Sequence, residues 1–168
     1  IETYLDVGNL DFKRAIRRFE DIAVEADIAV LYYAGHGIEI GGVNYLIPID
    51  AKLASDRDAP DEAIPLDRLV LSADGAKKLR VVILDACRDN PYAGKMRRES
   101  RAALRAVTSG LSKVEPSSTD TLIAYAAKAG SMPVVISFTV ETDGRLPSGQ
   151  SLRDAIAQVD RETKNAPA

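Results

Sequence analysis

The 168-residue chain holds one cysteine, Cys87, and one histidine, His36, and it has no tryptophan. One cysteine excludes a disulfide framework, and with one histidine it also excludes a zinc site built from Cys and His ligands. No uninterrupted apolar run approaches the roughly 18 residues that would span a bilayer. Ile1 opens none of the basic, apolar and small-residue regions of a signal peptide. The chain as given reads as soluble and without a membrane partner, and one free thiol suits a cytoplasmic or a periplasmic protein. Positive charge is scarce too: 22 Lys and Arg against 25 Asp and Glu leave a net charge of −3. Phosphate-backbone binding demands a basic surplus, so nucleic acid is not an expected partner. The shortage is uneven. Residues 91–113 hold six cations (Lys95, Arg97, Arg98, Arg101, Arg105, Lys113) against Glu99 alone, a local +5 that leaves the rest at −8.

What is present is an ordinary globular composition, 46% apolar and 28% charged, in a length that makes a single domain over residues 1–168. Residues 2–7 alternate weakly as a strand. Leu10, Phe12, Ile16, Phe19 and Ala23 then recur at helical spacing, with Asn9 or Asp11 as N-cap. Residues 28–34 (IAVLYYA) form an apolar run that stops at Gly35-His36-Gly37, the pattern of a strand buried on both faces. Residues 38–49 hold two short apolar runs around Gly41-Gly42, a dipeptide that permits a tight hairpin. An acidic, polar loop over residues 51–62 precedes a helical stripe of Leu66, Leu69, Val70 and Ala73 that closes near Gly75.

Residues 81–84 (VVIL) give a second buried strand, which ends in Asp85-Ala86-Cys87-Arg88-Asp89-Asn90-Pro91, where proline cannot continue a ladder. A basic helix is expected over residues 97–107, a linker over 115–118, a third buried strand over 122–127 and a further strand over 134–140. Leu152, Ala155, Ile156 and Val159 mark a final helix, with Ser151 and Asp154 in capping-box register. Strands alternating with helices need crossover connections. The expected fold is therefore α/β, a mainly parallel central sheet with helices on both faces.

In a parallel sheet, ligands sit beyond the carboxyl ends of the strands. His36 follows one apolar run and Cys87 the other, so neighbouring strands would bring the only imidazole and the only thiol to one rim. A thiol with an ordinary pKa of about 8.5 is only a few per cent ionised at pH 7, and an imidazole nearby supplies the missing base. His36 would take the Cys87 proton or return one to a leaving amine. Glycine on both sides of His36 fits a tight turn. The N–H groups of Gly37 and Cys87 would be the donors for a developing oxyanion. Taken singly, a lone cysteine or histidine is more often a packed structural residue; the matched placement after two buried strands is what points to a Cys-His hydrolase.

Tyr32-Tyr33-Ala34-Gly35-His36-Gly37, taken with Leu84-Asp85-Ala86-Cys87-Arg88-Asp89-Asn90-Pro91, resembles the caspase/metacaspase superfamily of cysteine peptidases, especially its bacterial members. The resemblance covers about residues 2–130. It implies a caspase-hemoglobinase fold arranged as a three-layer sandwich and a His36/Cys87 dyad. It also implies an oxyanion hole from Gly37 and Cys87 and hydrolysis of peptide bonds in a protein or peptide substrate; no cofactor or metal is expected from the residues present. Caspases carry glutamine two residues before the nucleophile and cut after aspartate, whereas metacaspases carry aspartate there and cut after arginine or lysine. This chain has Asp85, which as a buried carboxylate would pair with a basic P1 side chain; its structural alternative is to hold a loop N–H.

Other features read two ways. The basic segment at residues 95–113 lies where the superfamily places its intersubunit loop and could be a site of self-processing, or a solvated helix face. Asp50, Asp56, Asp58, Asp61 and Glu62 lack the alternating spacing of a calcium loop and read as a surface loop. Tyr32 and Tyr33 read as packing. The superfamily's first strand and helix, which precede the segment equivalent to Glu2, have no counterpart here. Residues 131–142 are mostly apolar where the family has a polar loop. These departures keep open a catalytically silent caspase-like interaction module; caspase-type cleavage after aspartate is the other alternative, and an acyl-transferring cysteine enzyme that does not act on proteins would use the same residues.

Overall fold

The structure is a computed structural model that describes residues 1–87, 96, 107–109, 111–112, 120–126 and 135–141. Strand β1 (Glu2–Leu5) leads into helix α1 (Asn9–Ala23), whose Phe12, Ala15, Ile16, Phe19 and Ala23 are all buried and recur every three or four residues along one side. The helix starts at Asn9, so neither Asn9 nor Asp11 caps it. The N-cap is Gly8, which has no side chain to offer, and the Asn9 N–H donates instead to Asp50 Oδ1 at 2.8 Å. A Cβ at Gly8 would lie 2.6 Å from Asp50 Oδ2, so glycine is what admits the distant carboxylate.

Strand β2 runs from Ile28 to Ile40 and does not stop at the glycines around His36. It turns through Gly41 (φ 62°) and Gly42 (φ 87°) into β3 (Val43–Ile47). Ile40 opposite Val43 closes the two-residue loop, and positive φ at both loop positions is what a type I′ hairpin demands. Short helix α2 (Ala59–Glu62), strand β4 (Ile64–Pro65) and helix α3 (Leu66–Leu71) precede β5 (Leu79–Cys87). Then come β6 (Val107–Ser109), β7 (Thr121–Ala126) and β8 (Val135–Glu141).

All eight strands belong to one sheet, of which β1-β8-β2-β3-β4 is one path, while β5 pairs with β2 and β7 and β6 pairs with β2. The expectation of a mainly parallel sheet is overturned. Among the described residues only β2–β5 and β5–β7 are parallel, while β1–β8, β8–β2, β2–β3, β2–β6 and β3–β4 are antiparallel. Strand β2 folds back through its glycine turn into β3, on which β4 lies antiparallel in turn, while β6 and β8 come from later in the chain to lie antiparallel to β2, β8 between β1 and β2. The mixed α/β class stands, with a parallel core of β2, β5 and β7.

Alternation along β2 and β5 puts Ala29, Leu31, Tyr33, Val82 and Leu84 on one face, where they form a single buried cluster with α1 and with Leu66, Leu69 and Val70 of α3. Each such large side chain contributes about 1.5–3 kcal/mol by leaving water. Helices α1 and α3 thus cover one face. The basic helix expected at 97–107 and the final helix that would cover the other lie outside the described residues, except that Val107 opens strand β6. The linker at 115–118 lies outside them too. A second cluster joins Ile38, Ile40, Tyr45 and Ile47 of the hairpin to Ala51, Leu53, Ala59, Ala63 and Met96.

Two other expectations need correction. The acidic stretch is not a solvated loop: Ala51, Leu53, Ser55 and Asp56 are buried. Glu62 accepts from the N–H groups of Lys52 (2.7 Å) and Leu53 (2.8 Å), and Asp58 accepts from that of Ser55 (2.7 Å). Carboxylates that close loops in this way replace a missing ladder. Strand β7, expected to be buried, leaves Leu122 59% and Tyr125 42% exposed. No helix among the described residues is long and apolar enough to cross a membrane.

Candidate active site

Parallel pairing of β2 with β5 begins at Ile28 opposite Leu79 and ends at His36 opposite Cys87. Neighbouring strands lie about 4.8 Å apart, so two residues in register are immediate neighbours. The only imidazole and the only thiol of the chain therefore occupy the last rung of one ladder. Neither residue lies after its strand, as the sequence suggested; each lies within it.

His36 also marks a change of partners along β2. Residues 28–34 pair with β8 on one edge, and on that same edge β3 takes over from His36, opposite Ile47, to Ile40. On the other edge β5 ends at His36 and β6 begins at Ile38, opposite Ser109. Gly35 falls between the β8 and β3 ladders. Its φ of 156° is one that residues with side chains rarely adopt, and a Cβ there would lie 2.6 Å from Tyr33 Oη and 2.9 Å from its Cζ. The phenol of Tyr33 passes over this glycine and donates to the His36 carbonyl at 2.7 Å. Tyr33 is fully buried and its ring stacks on Phe12 of α1, centroids 6.0 Å apart. The sequence reading took Tyr33 as packing alone. The available signal was its three-residue spacing to His36 across a glycine.

The imidazole is half-buried, and Nδ1 is a buried atom with no hydrogen-bond partner among the described residues. Desolvation lowers its pKa below the usual 6.5 by penalising the imidazolium. At neutral pH the ring is thus in the form that can accept a proton. Two residues before Cys87, Asp85 is 9% exposed, with register neighbours Ala34 and Ala126, both alanine. Tyr32 donates to its Oδ2 at a long 3.5 Å, and its Oδ1 is buried with no hydrogen-bond partner. Among the described residues, nothing hydrogen-bonds to that buried carboxylate oxygen.

Gly37 lies within β2 opposite Leu46. The side chain of Leu111 packs over its α-carbon, so close that a Cβ would lie 2.5 Å from Leu111 Cδ2. Buried Asn44 holds the next residue on both sides of its peptide. Its side-chain N–H donates to the Ser112 carbonyl at 3.0 Å, and its Oδ1 accepts from the Ser112 N–H at 2.8 Å and hydroxyl at 3.1 Å. Asn44, Leu111 and Ser112 went unnoticed in the sequence, because a contact across 68 residues leaves no local pattern. Among the described residues no group of three or more His, Cys, Asp or Glu side chains could hold a metal ion.

The model of the caspase domain, a peptidase family, matches residues 1–134, most of the chain. The chain belongs to the caspase-domain family. That is a family of cysteine peptidases, and the match takes in both the His36 and the Cys87 segments of this caspase domain. No curated protein matches it. Of the segments that set it apart, residues 131–142 contain β8, which runs inside the sheet between β1 and β2 and buries Ile136.

Proposed function

We propose that this caspase domain is a cysteine endopeptidase that works through Cys87 and His36 and cuts after arginine or lysine, as metacaspases do. The observation that carries the reading is the terminal β2–β5 rung, His36 opposite Cys87. The Cys87 thiol gives its proton to the neutral imidazole, and the thiolate attacks the peptide carbonyl to form a C–S bond. The N–H groups of Gly37 and Cys87 stabilise the resulting oxyanion. Collapse breaks the C–N bond while the imidazolium protonates the departing amine, and water then hydrolyses the thioester and restores the thiol.

Asp85 supports the basic specificity. It is a buried carboxylate two residues before the nucleophile, with an oxygen unpartnered among the described residues, and a guanidinium or ammonium would satisfy it where an acidic side chain would be repelled. The six cations of residues 95–113 make that segment a candidate for cleavage by a second copy or by the same chain. A second reading, a catalytically silent interaction module, is favoured by one observation, Leu111 packed against Gly37.

Incubation with fluorogenic peptides bearing Arg, Lys or Asp at P1, beside the Cys87→Ala protein, tests both. Turnover of Arg and Lys peptides by the wild type alone is expected. Equal rates for wild type and mutant would remove the peptidase, and a preference for Asp would overturn the role of Asp85. Stoichiometric labelling of Cys87 by a peptidyl chloromethylketone excludes the silent module.

A further inference from the structure

We infer that Tyr33 is a positioning residue, its buried hydroxyl fixing the peptide plane of His36 so that the imidazole is held over the last rung of the β2–β5 ladder. The inference rests on His36 being the general base of the proposed reaction.

His36 is the last residue of β2 paired with β5 and the first paired with β3, with β8 finished at Ala34 and β6 not begun until Ile38. Each edge at His36 is thus a terminal rung, and a ladder is looser at its end than in its interior. At this point the Tyr33 hydroxyl donates to the carbonyl of His36 itself, at 2.7 Å. The donor is itself rigid, for the ring is fully buried and stacked on Phe12. Gly35 leaves room for the phenol to pass, since any Cβ there would meet the Oη at 2.6 Å. The bond thus ties α1 and the core, which lie on one face, to the residue that carries the imidazole. Misplacing a catalytic group by an ångström can cost about a hundredfold in rate, so a hydrogen bond to its own peptide is a place where positioning matters.

Tyr33→Phe tests this, because it keeps the stacked ring and removes only the donor. Ile16→Val serves as a packing control, trimming the same core cluster one turn along α1. With Arg- or Lys-P1 peptides, Tyr33→Phe is expected to lower kcat about tenfold or more and to leave KM within about twofold, while Ile16→Val changes neither. The second readout needs no substrate. His36 is the only histidine, so its ring protons are assignable in an NMR titration without ambiguity. The groups beside it on β5 are Asp85 and Cys87, Tyr32 lies on its own strand, and Ile47 faces it from β3. In a Cys87→Ala background, which removes the thiol, Tyr33→Phe should move the His36 midpoint upward toward its ordinary value and broaden the signal, as a loosened strand admits water. Titration curves and linewidths that superimpose on those of the parent overturn the inference, as does an equal change in Ile16→Val. A wild type without Cys87-dependent turnover would remove the peptidase reading, and the titration alone would then decide whether Tyr33 holds the imidazole.

Discussion

From Ile28 to Ala34, β2 is flanked by β8 and β5 along its whole length, and all but Tyr32 of its residues are buried. From Gly35 to Ile40 the same strand has lost β8, keeps β5 only as far as His36, gains β3 from His36 and β6 from Ile38, and contains two glycines and the half-buried His36. The first stretch is apolar without interruption, and its ladders leave no backbone group for other work. The second changes partners, and at the change it holds the imidazole beside Cys87. A strand can thus supply stability at one end and a reactive group at the other, with terminal rungs at the boundary reinforced by a side-chain hydrogen bond. Here that bond comes from the Tyr33 hydroxyl.

This contrast predicts that substitutions in the two stretches fail differently. The largest effect belongs to the reactive rung. His36→Ala and Cys87→Ala should each lower kcat/KM on Arg- or Lys-P1 peptides by at least about a thousandfold, with far-UV circular dichroism unchanged; unfolding of either variant would erase the division. In the first stretch, Leu31 is fully buried. Leu31→Ala should cost about 2–5 kcal/mol in urea denaturation, with any remaining activity following the folded fraction. At the boundary, Gly35→Ala brings a methyl against the Tyr33 phenol in a backbone conformation disfavoured for alanine. It should cost about 1–3 kcal/mol and lower kcat of the protein that still folds, and a variant as stable and active as the wild type would refute the tight passage.

The smallest effect is on pH. Burial lowers the His36 pKa, so the unfolded chain binds this proton more readily than the folded one. The corresponding stability is complete above about pH 6.5 and is lost as pH falls through the folded value. Urea midpoints for Cys87→Ala with and without His36→Gln, at about pH 7.5 and about pH 5, should show the larger acid loss in the protein that keeps the histidine. Equal losses would mean that the ring is solvated.

Much of the architecture is local enough to be legible in residue order. The runs at 28–34 and 81–84 are apolar enough to mark strands of the sheet, the first buried but for Tyr32 and the second with Val82 and Leu84 buried and Val81 and Ile83 partly exposed, and Gly41-Gly42 between two short apolar runs specifies a hairpin because few other residues accept positive φ twice in succession. The stripe from Phe12 to Ala23 marks α1. The strand boundaries were less visible. Glycines at 35 and 37 look like a terminus, yet glycine in a strand also marks close approach of another group, here the Tyr33 ring and the Leu111 side chain. Similarly, nothing near Asn9 announces that its N–H is capped by Asp50, 41 residues away.

By itself, then, the order of residues determined that two buried strands carry a lone histidine and a lone cysteine near their ends, that a hairpin follows one of them, and that an amphipathic helix covers the sheet. Those are consequences of periodicity and of backbone freedom, which act over a few residues. Only the tertiary structure decided that most ladders are antiparallel, that β8 lies between β1 and β2, that His36 and Cys87 share the same rung, and that Tyr33 and Asn44 grip backbone groups rather than merely fill space. Such choices depend on which distant segment satisfies a given N–H or carbonyl, and every strand offers those groups alike. Side-chain sequence leaves the partner open until the whole chain has packed.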